Sequence, residues 1–159
     1  MRIFLTCTLL TFFSITVPAQ QIEGLLMAEK ALASGDTTHA VILFKEVLKK
    51  YPDSYAAALR LTEVSFQQQL FSEAIQYSHI TEDVLLRKID SVTAIQPGTR
   101  DTSIVKRYDQ DLASLYHFKG KIRLKQHRAA EALEELERAL QYGGDSSSIF
   151  LDKGLVYLE

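Results

Sequence analysis

The chain has 159 residues, 47% of them hydrophobic and 24% charged, with 18 Lys and Arg against 20 Asp and Glu. That length favours a single domain, and the composition lies far from that of a disordered chain. Seven Gly and three Pro are few for the length, which favours long helices over a many-stranded sheet, and the slightly acidic balance leaves no electrostatic footprint for nucleic acid.

In chain order, the first feature is a leader. Arg2 precedes an apolar stretch from Ile3 to Val17, and Val17-Pro18-Ala19 places small residues where a signal peptidase reads them. Residues 1–19 therefore read as a signal peptide and 20–159 as the mature domain, exported to the periplasm or secreted. The stretch is shorter than the about 20 apolar residues a membrane span requires. No second such run follows, so no span is expected after cleavage; an uncleaved N-terminal anchor is the alternative. The one cysteine, Cys7, lies inside the apolar stretch rather than at its end, which argues against lipidation. Cleavage would leave a chain without thiols, excluding disulfides, zinc thiolates and a cysteine nucleophile.

Beyond the leader the periodicity is helical. Leu43, Phe44, Val47 and Leu48 recur at three- and four-residue spacing, as do Leu133, Leu136 and Leu140. Ser34-Gly35, Pro52 and Gly143-Gly144 mark helix ends, with Asp53, Ser72 and Asp145 as candidate caps. No alternating stretch of strand length appears, so the fold reads as all-α.

The helices repeat. Ala28 is followed by Ala40, Thr62 by Ala74 and Gly120 by Ala132, each pair 12 residues apart, so small residues stand where two successive helices would cross closely. Ala40 to Ala74 is 34 residues, as is Gly120 to Gly154. The first copy runs Ala40-x3-Phe44-x2-Val47 to Tyr51-Pro52-Asp53; the third runs Tyr116-x3-Gly120, then Ala132-x3-Leu136-x2-Ala139; a fourth begins Phe150-x3-Gly154-x2-Tyr157. The second has Leu61-Thr62 and Ala74, but Ser78 at a position where a large apolar residue is usual. With this period and these residues the chain resembles the tetratricopeptide-repeat family. The resemblance implies a right-handed superhelix of stacked antiparallel hairpins, with repeats at about 21–54, 55–84 and 113–146 and a fourth at 147–159. That fourth copy stops after one helix, with Phe150, Leu151, Leu155 and Leu158 uncovered, so either the array is expected to continue past Glu159 or the exposed stripe docks on something else.

Ala74 and Ala132 are 58 residues apart, one period plus 24, and the surplus falls at about 85–108 around Pro97-Gly98. Val84, Leu85, Ile89 and Val92 continue the helical spacing before the break, and Ile104, Tyr108, Leu112 and Leu115 resume it afterwards. The insertion therefore reads as a lengthening of two adjacent antiparallel helices, with Asp101 or Ser103 as cap of the second. It is either an insertion that packs on itself or an arm protruding toward a partner.

What the resemblance implies for function is binding of a protein or peptide partner in the concave groove, lined by the first helix of each hairpin. Matching the family's groove positions gives Leu25, Glu29 and Leu32 in the first copy. The second contributes Leu59, Glu63 and Phe66, and the third His117, Lys121, Leu124 and Lys125. The Lys and Asn with which some members clamp a terminal carboxylate are absent, since Leu25 and Glu29, then Leu59 and Glu63, stand there. The groove reads as apolar with acidic points at one end and basic ones at the other; Leu25, Leu59 and Phe66 are equally open to a role in packing between helices.

No catalytic set emerges, and neither a cofactor nor a metal is expected. His39, His79, His117 and His127 lack the helical zinc spacing and read as surface side chains. The Lys119, Lys121, Arg123 and Lys125 set and the Glu131 to Glu137 run read as solvated helix faces. Asp145-Ser146-Ser147-Ser148 reads as a capping loop rather than a nucleophile. The expected role is thus an exported, non-enzymatic scaffold or adaptor of open oligomeric state. The rivals are the N-terminal sensor region of a larger receptor or kinase, and an attachment to a catalytic domain beyond residue 159.

Overall fold

The structure, a computed structural model, describes residues 19–95 and 103–158. The leader up to Pro18, the Pro97-Gly98 break, the Asp101 cap and Glu159 lie outside the described residues. Among those described there are seven helices and no strand: α1 (Ala19–Ala33), α2 (Thr37–Lys50), α3 (Tyr55–Gln67), α4 (Phe71–Ile95), α5 (Ser103–Lys125), α6 (Ala129–Gln141) and α7 (Ser146–Val156). Each helix packs on the next in sequence. The result is a stack of antiparallel hairpins, α1/α2, α3/α4 and α5/α6, followed by α7.

The three hairpin turns are copies of one another at hydrogen-bond level. In the first, Ser34, Gly35 and Asp36 N–H groups donate to Lys30, Leu32 and Ala31 carbonyls. Gln68, Gln69 and Leu70 repeat this with Val64, Phe66 and Ser65, and Gln126, His127 and Arg128 with Ile122, Leu124 and Arg123. The last carbonyls of each first helix are thereby satisfied, and one residue per turn must enter the left-handed region. That residue is Gly35 at φ 85°, but Gln69 at 61° and His127 at 56°. A side chain there costs energy that glycine avoids. Gln69→Gly is therefore expected to raise stability by roughly 0.5–1 kcal/mol, read as a higher urea midpoint at unchanged slope.

Capping departs from expectation in two places. Asp145 caps α7, accepting from the Ser147 and Ser148 N–H groups at 3.2 and 3.3 Å, and Asp36 caps α2 through the His39 N–H at 3.1 Å. Asp53, however, precedes the cap of α3, which is Ser54, and Ser72 lies inside α4.

The small residues lie where the helices cross. Ala28, Ala40, Thr62, Ala74 and Ala132 are wholly buried. A Cβ on Gly120 would come within 2.8 Å of Leu136, which is why the α5/α6 crossing takes glycine. Two apolar cores result. Ala28, Ala40, Phe44, Val47, Ala57 and Leu61 form the one under α1 to α3, and the larger one runs from Leu85 on α4 to Val156 on α7.

The insertion lengthens α4 to 25 residues and α5 to 23. Ile89 and Val105 enter the same core as Leu112 and Leu115, so the extension packs on itself. The buried stripe of α5 begins at Val105 rather than at Ile104, which is 53% exposed. In the second copy Ser78 replaces bulk with a satisfied hydroxyl, buried and bonded to the Ile75 carbonyl at 2.7 Å.

Candidate functional site

The first helices of the hairpins approach one another: α3 touches α5, and α5 touches α7, in addition to their own partners. Side chains roughly one repeat apart meet across these contacts, and they define the inner face. At its N-terminal end the Arg60 guanidinium bridges two helices, with Nε 2.6 Å from Glu29 Oε1 and Nη1 2.7 Å from Glu63 Oε2. The two carboxylates expected to meet a ligand are thus both engaged by one cation from α3. Leu25 and Leu32 rest half-buried on the first core, and Leu59 and Leu124 on the second. Phe66 packs edge-on against Phe118 at 5.9 Å and tilted against Phe71 at 6.1 Å, joining α3, α4 and α5.

At the other end the structure separates residues that the sequence groups together. His117 Nε2 lies 2.6 Å from Asp152 Oδ2, a contact that ties α5 to α7, so this histidine is not a free surface group. Lys121 is half-buried and Lys125 exposed, and neither forms an ion pair with the described residues.

Lys119 and Glu135 do not lie on solvated faces. Lys119 is 2% exposed, its Nζ 2.9 Å from Glu82 Oε2 on α4 and 3.1 Å from Glu135 Oε1 on α6. The ammonium also lies 5.2 Å from the centroid of the Tyr116 ring, whose hydroxyl donates to Glu82 Oε1 at 2.7 Å. Tyr116 stacks on Tyr142 at 5.5 Å. Burial, and then the carboxylate it bonds, push the Tyr116 hydroxyl well above the usual phenol range. Burial pushes the Glu82 carboxyl upward, but hydrogen bonds from Lys119 and Tyr116 and the nearby positive charges outweigh it, and Glu82 lies below the usual range. Arg123 is likewise turned toward α6, 3.3 Å from Glu131.

Sequence reasoning missed Arg60, Asp152 and the burial of Lys119. For Lys119 a signal existed: residues two apart on a helix point in nearly opposite directions, so 119, 121, 123 and 125 could not share one face.

Among the described residues no three His, Asp or Glu side chains converge as a metal site, and no helix is long and apolar enough to cross a membrane. A hollow of about 560 Å3 beside Asp109 and Gln141–Gly143 holds one carboxylate and a tyrosine. The arrangement presents surface for contact: an inner face, half apolar, with its charge concentrated at the two ends.

A family model described as tetratricopeptide repeat matches residues 31–77, a span reaching from the end of α1 through α2 and α3 into α4. No curated protein matches the chain.

Proposed function

We propose that this chain is a tetratricopeptide-repeat protein, a reading that the match over residues 31–77 supports, and that it is an exported scaffold whose inner face, along α1, α3, α5 and α7, holds a segment of a partner protein. The observation that carries this reading is the state of the inner face itself. Its apolar side chains are only half withdrawn from water, and Lys121 and Lys125 stand there with no ion pair to the described residues. A half-exposed apolar face rimmed by unpaired ammonium groups is the kind of surface that a partner segment would cover. Repeat arrays of this kind generally mediate protein contacts. Export rests on Arg2, the apolar stretch to Val17 and the Val17-Pro18-Ala19 site.

Photo-crosslinking in intact cells tests both parts. A crosslinking amino acid placed at Leu59 or Lys121 should capture one discrete partner, whereas the same group at Lys45 or Glu46, exposed on α2, should capture none. N-terminal sequencing of the captured product should begin at Gln20. Equal capture from α2 would remove the groove reading, and an intact N-terminus on a cytoplasmic product would remove export.

A further inference from the structure

Resting on that reading of the inner face, we infer that its α5–α7 end receives an acidic segment rich in bulky apolar side chains. Three observations converge there.

First, the negative charge of the face is already engaged. Glu29 and Glu63 both accept from Arg60, and Asp152 is held by His117. Second, the charge left unengaged at this end is positive: Lys121 and Lys125 project from α5 with no ion pair to the described residues, while their neighbours Lys119 and Arg123 are turned inward onto Glu82, Glu135 and Glu131. Third, α7 adds apolar surface beside those lysines. Leu151 and Leu155 stand 34 residues after His117 and Lys121, and are 67% and 45% exposed. That this register brings side chains of α5 and α7 together is shown by His117, which meets Asp152 at a separation of 35 residues.

The charged residues within α7 do not interrupt the apolar row. Asp152 is bonded to His117, and Lys153 reaches Glu137 at 3.3 Å. The row is therefore leucine without charge, and the register sets Leu155 of α7 opposite Lys121 of α5. A basic segment would meet repulsion at Lys121 and Lys125, and a purely polar one would leave the leucines wet. An acidic segment carrying Leu, Phe or Tyr satisfies both. Attraction at a solvated rim acts mainly on selectivity and on association rate, so binding should weaken with salt.

The test is selection of a random 16-residue peptide library displayed on phage against the purified chain, followed by fluorescence-polarisation titration of the best peptide. Enriched peptides should carry a clear excess of Asp and Glu over the starting library, together with large apolar residues. Lys121→Glu combined with Lys125→Glu should weaken that peptide about ten-fold or more, and Leu151→Ser combined with Leu155→Ser should weaken it to a similar degree. All four positions are at least partly exposed, so these variants should keep the melting temperature of the parent. An enriched pool without acidic bias, no enrichment, or an acidic peptide whose affinity both double variants leave within about two-fold overturns the inference. Neutral or basic peptides that still crosslink at Leu59 and Lys121 would overturn it while leaving the groove reading intact.

Discussion

Replacing Lys119 with alanine should cost the fold about 3–5 kcal/mol, far more than loss of an exposed lysine, for which about 0–1 kcal/mol is usual. The difference lies in where the charge sits. The ammonium is 2% exposed and lies between Glu82 and Glu135, whose side chains are 15% and 13% exposed. Removing it leaves two withdrawn carboxylates without a cation between them, and removes the four-carbon stem that fills the junction of α4, α5 and α6. Lys119→Met separates the two contributions, since it keeps most of the stem and deletes the charge.

The pH dependence identifies the charge term. Glu82 titrates below the ordinary carboxylate range: burial raises it, and the bonds from Lys119 and Tyr116 more than reverse that rise. A carboxyl depressed in the folded state contributes stability that is present above the unfolded value of about 4.3 and is lost as pH falls through the lower folded value. In Lys119→Met the principal lowering contact is gone and burial remains, so Glu82 takes a proton more readily. The deficit of the variant relative to the parent should be greatest near pH 7 and should narrow as pH falls toward about 4–5. Urea unfolding of parent and variant at several pH values measures it. A deficit below about 1 kcal/mol that does not change with pH would place Lys119 in solvent.

The second large effect is expected at Phe44. It is fully buried on α2, and the other buried residues of its core are Ala28, Ala40, Val47, Ala57 and Leu61, with half-buried side chains such as Leu32, Leu48 and Tyr77 packed around them. Three of the five buried ones are alanines, which have no side-chain reach with which to collapse into a vacated space. Phe44→Ala should therefore keep most of its cavity and cost about 3–5 kcal/mol. The loss should also be local. Each hairpin contacts only its neighbours, so stability approximates a sum of hairpin and interface contributions. Hydrogen exchange should show the amides of α1 and α2 losing protection well before those of α5 and α6, whose core is the separate one around Leu112, Leu115 and Leu136. Uniform loss across all seven helices would mean instead that the array unfolds as one unit.

Much of this architecture was legible in the order of residues. The small residues Ala28, Ala40, Thr62, Ala74, Gly120 and Ala132 mark close crossings because only a short side chain lets two helix axes approach, and each is buried at such a crossing. The insertion was legible for a related reason: apolar spacing continued through Val84, Leu85 and Ile89, and a helical stripe has to be buried against something. The one-residue error at Ile104, where Val105 is the buried side chain, reflects how weakly period alone fixes phase at the first turn of a helix. The turns at Gln69 and His127 were not legible, since neither residue announces a positive φ as Gly35 does.

The candidate site divides along the same line. Matching the family's groove positions named Leu25, Leu59, Phe66 and Leu124, and each lies half-buried between core and surface. Such matching carries no information about what the neighbouring repeat sets opposite. Arg60 meets Glu29 across 31 residues, His117 meets Asp152 across 35 and Lys119 meets Glu82 across 37. The helices, their register and the lengthened pair were therefore determined by sequence alone, because each depends on interactions within a few turns of one helix or hairpin. Which charges are buried and satisfied, and which, like Lys121 and Lys125, are left without an ion pair to the described residues, was decided only by tertiary structure. An ion pair depends on the distance between two side chains, and that distance exists only once adjacent repeats have stacked.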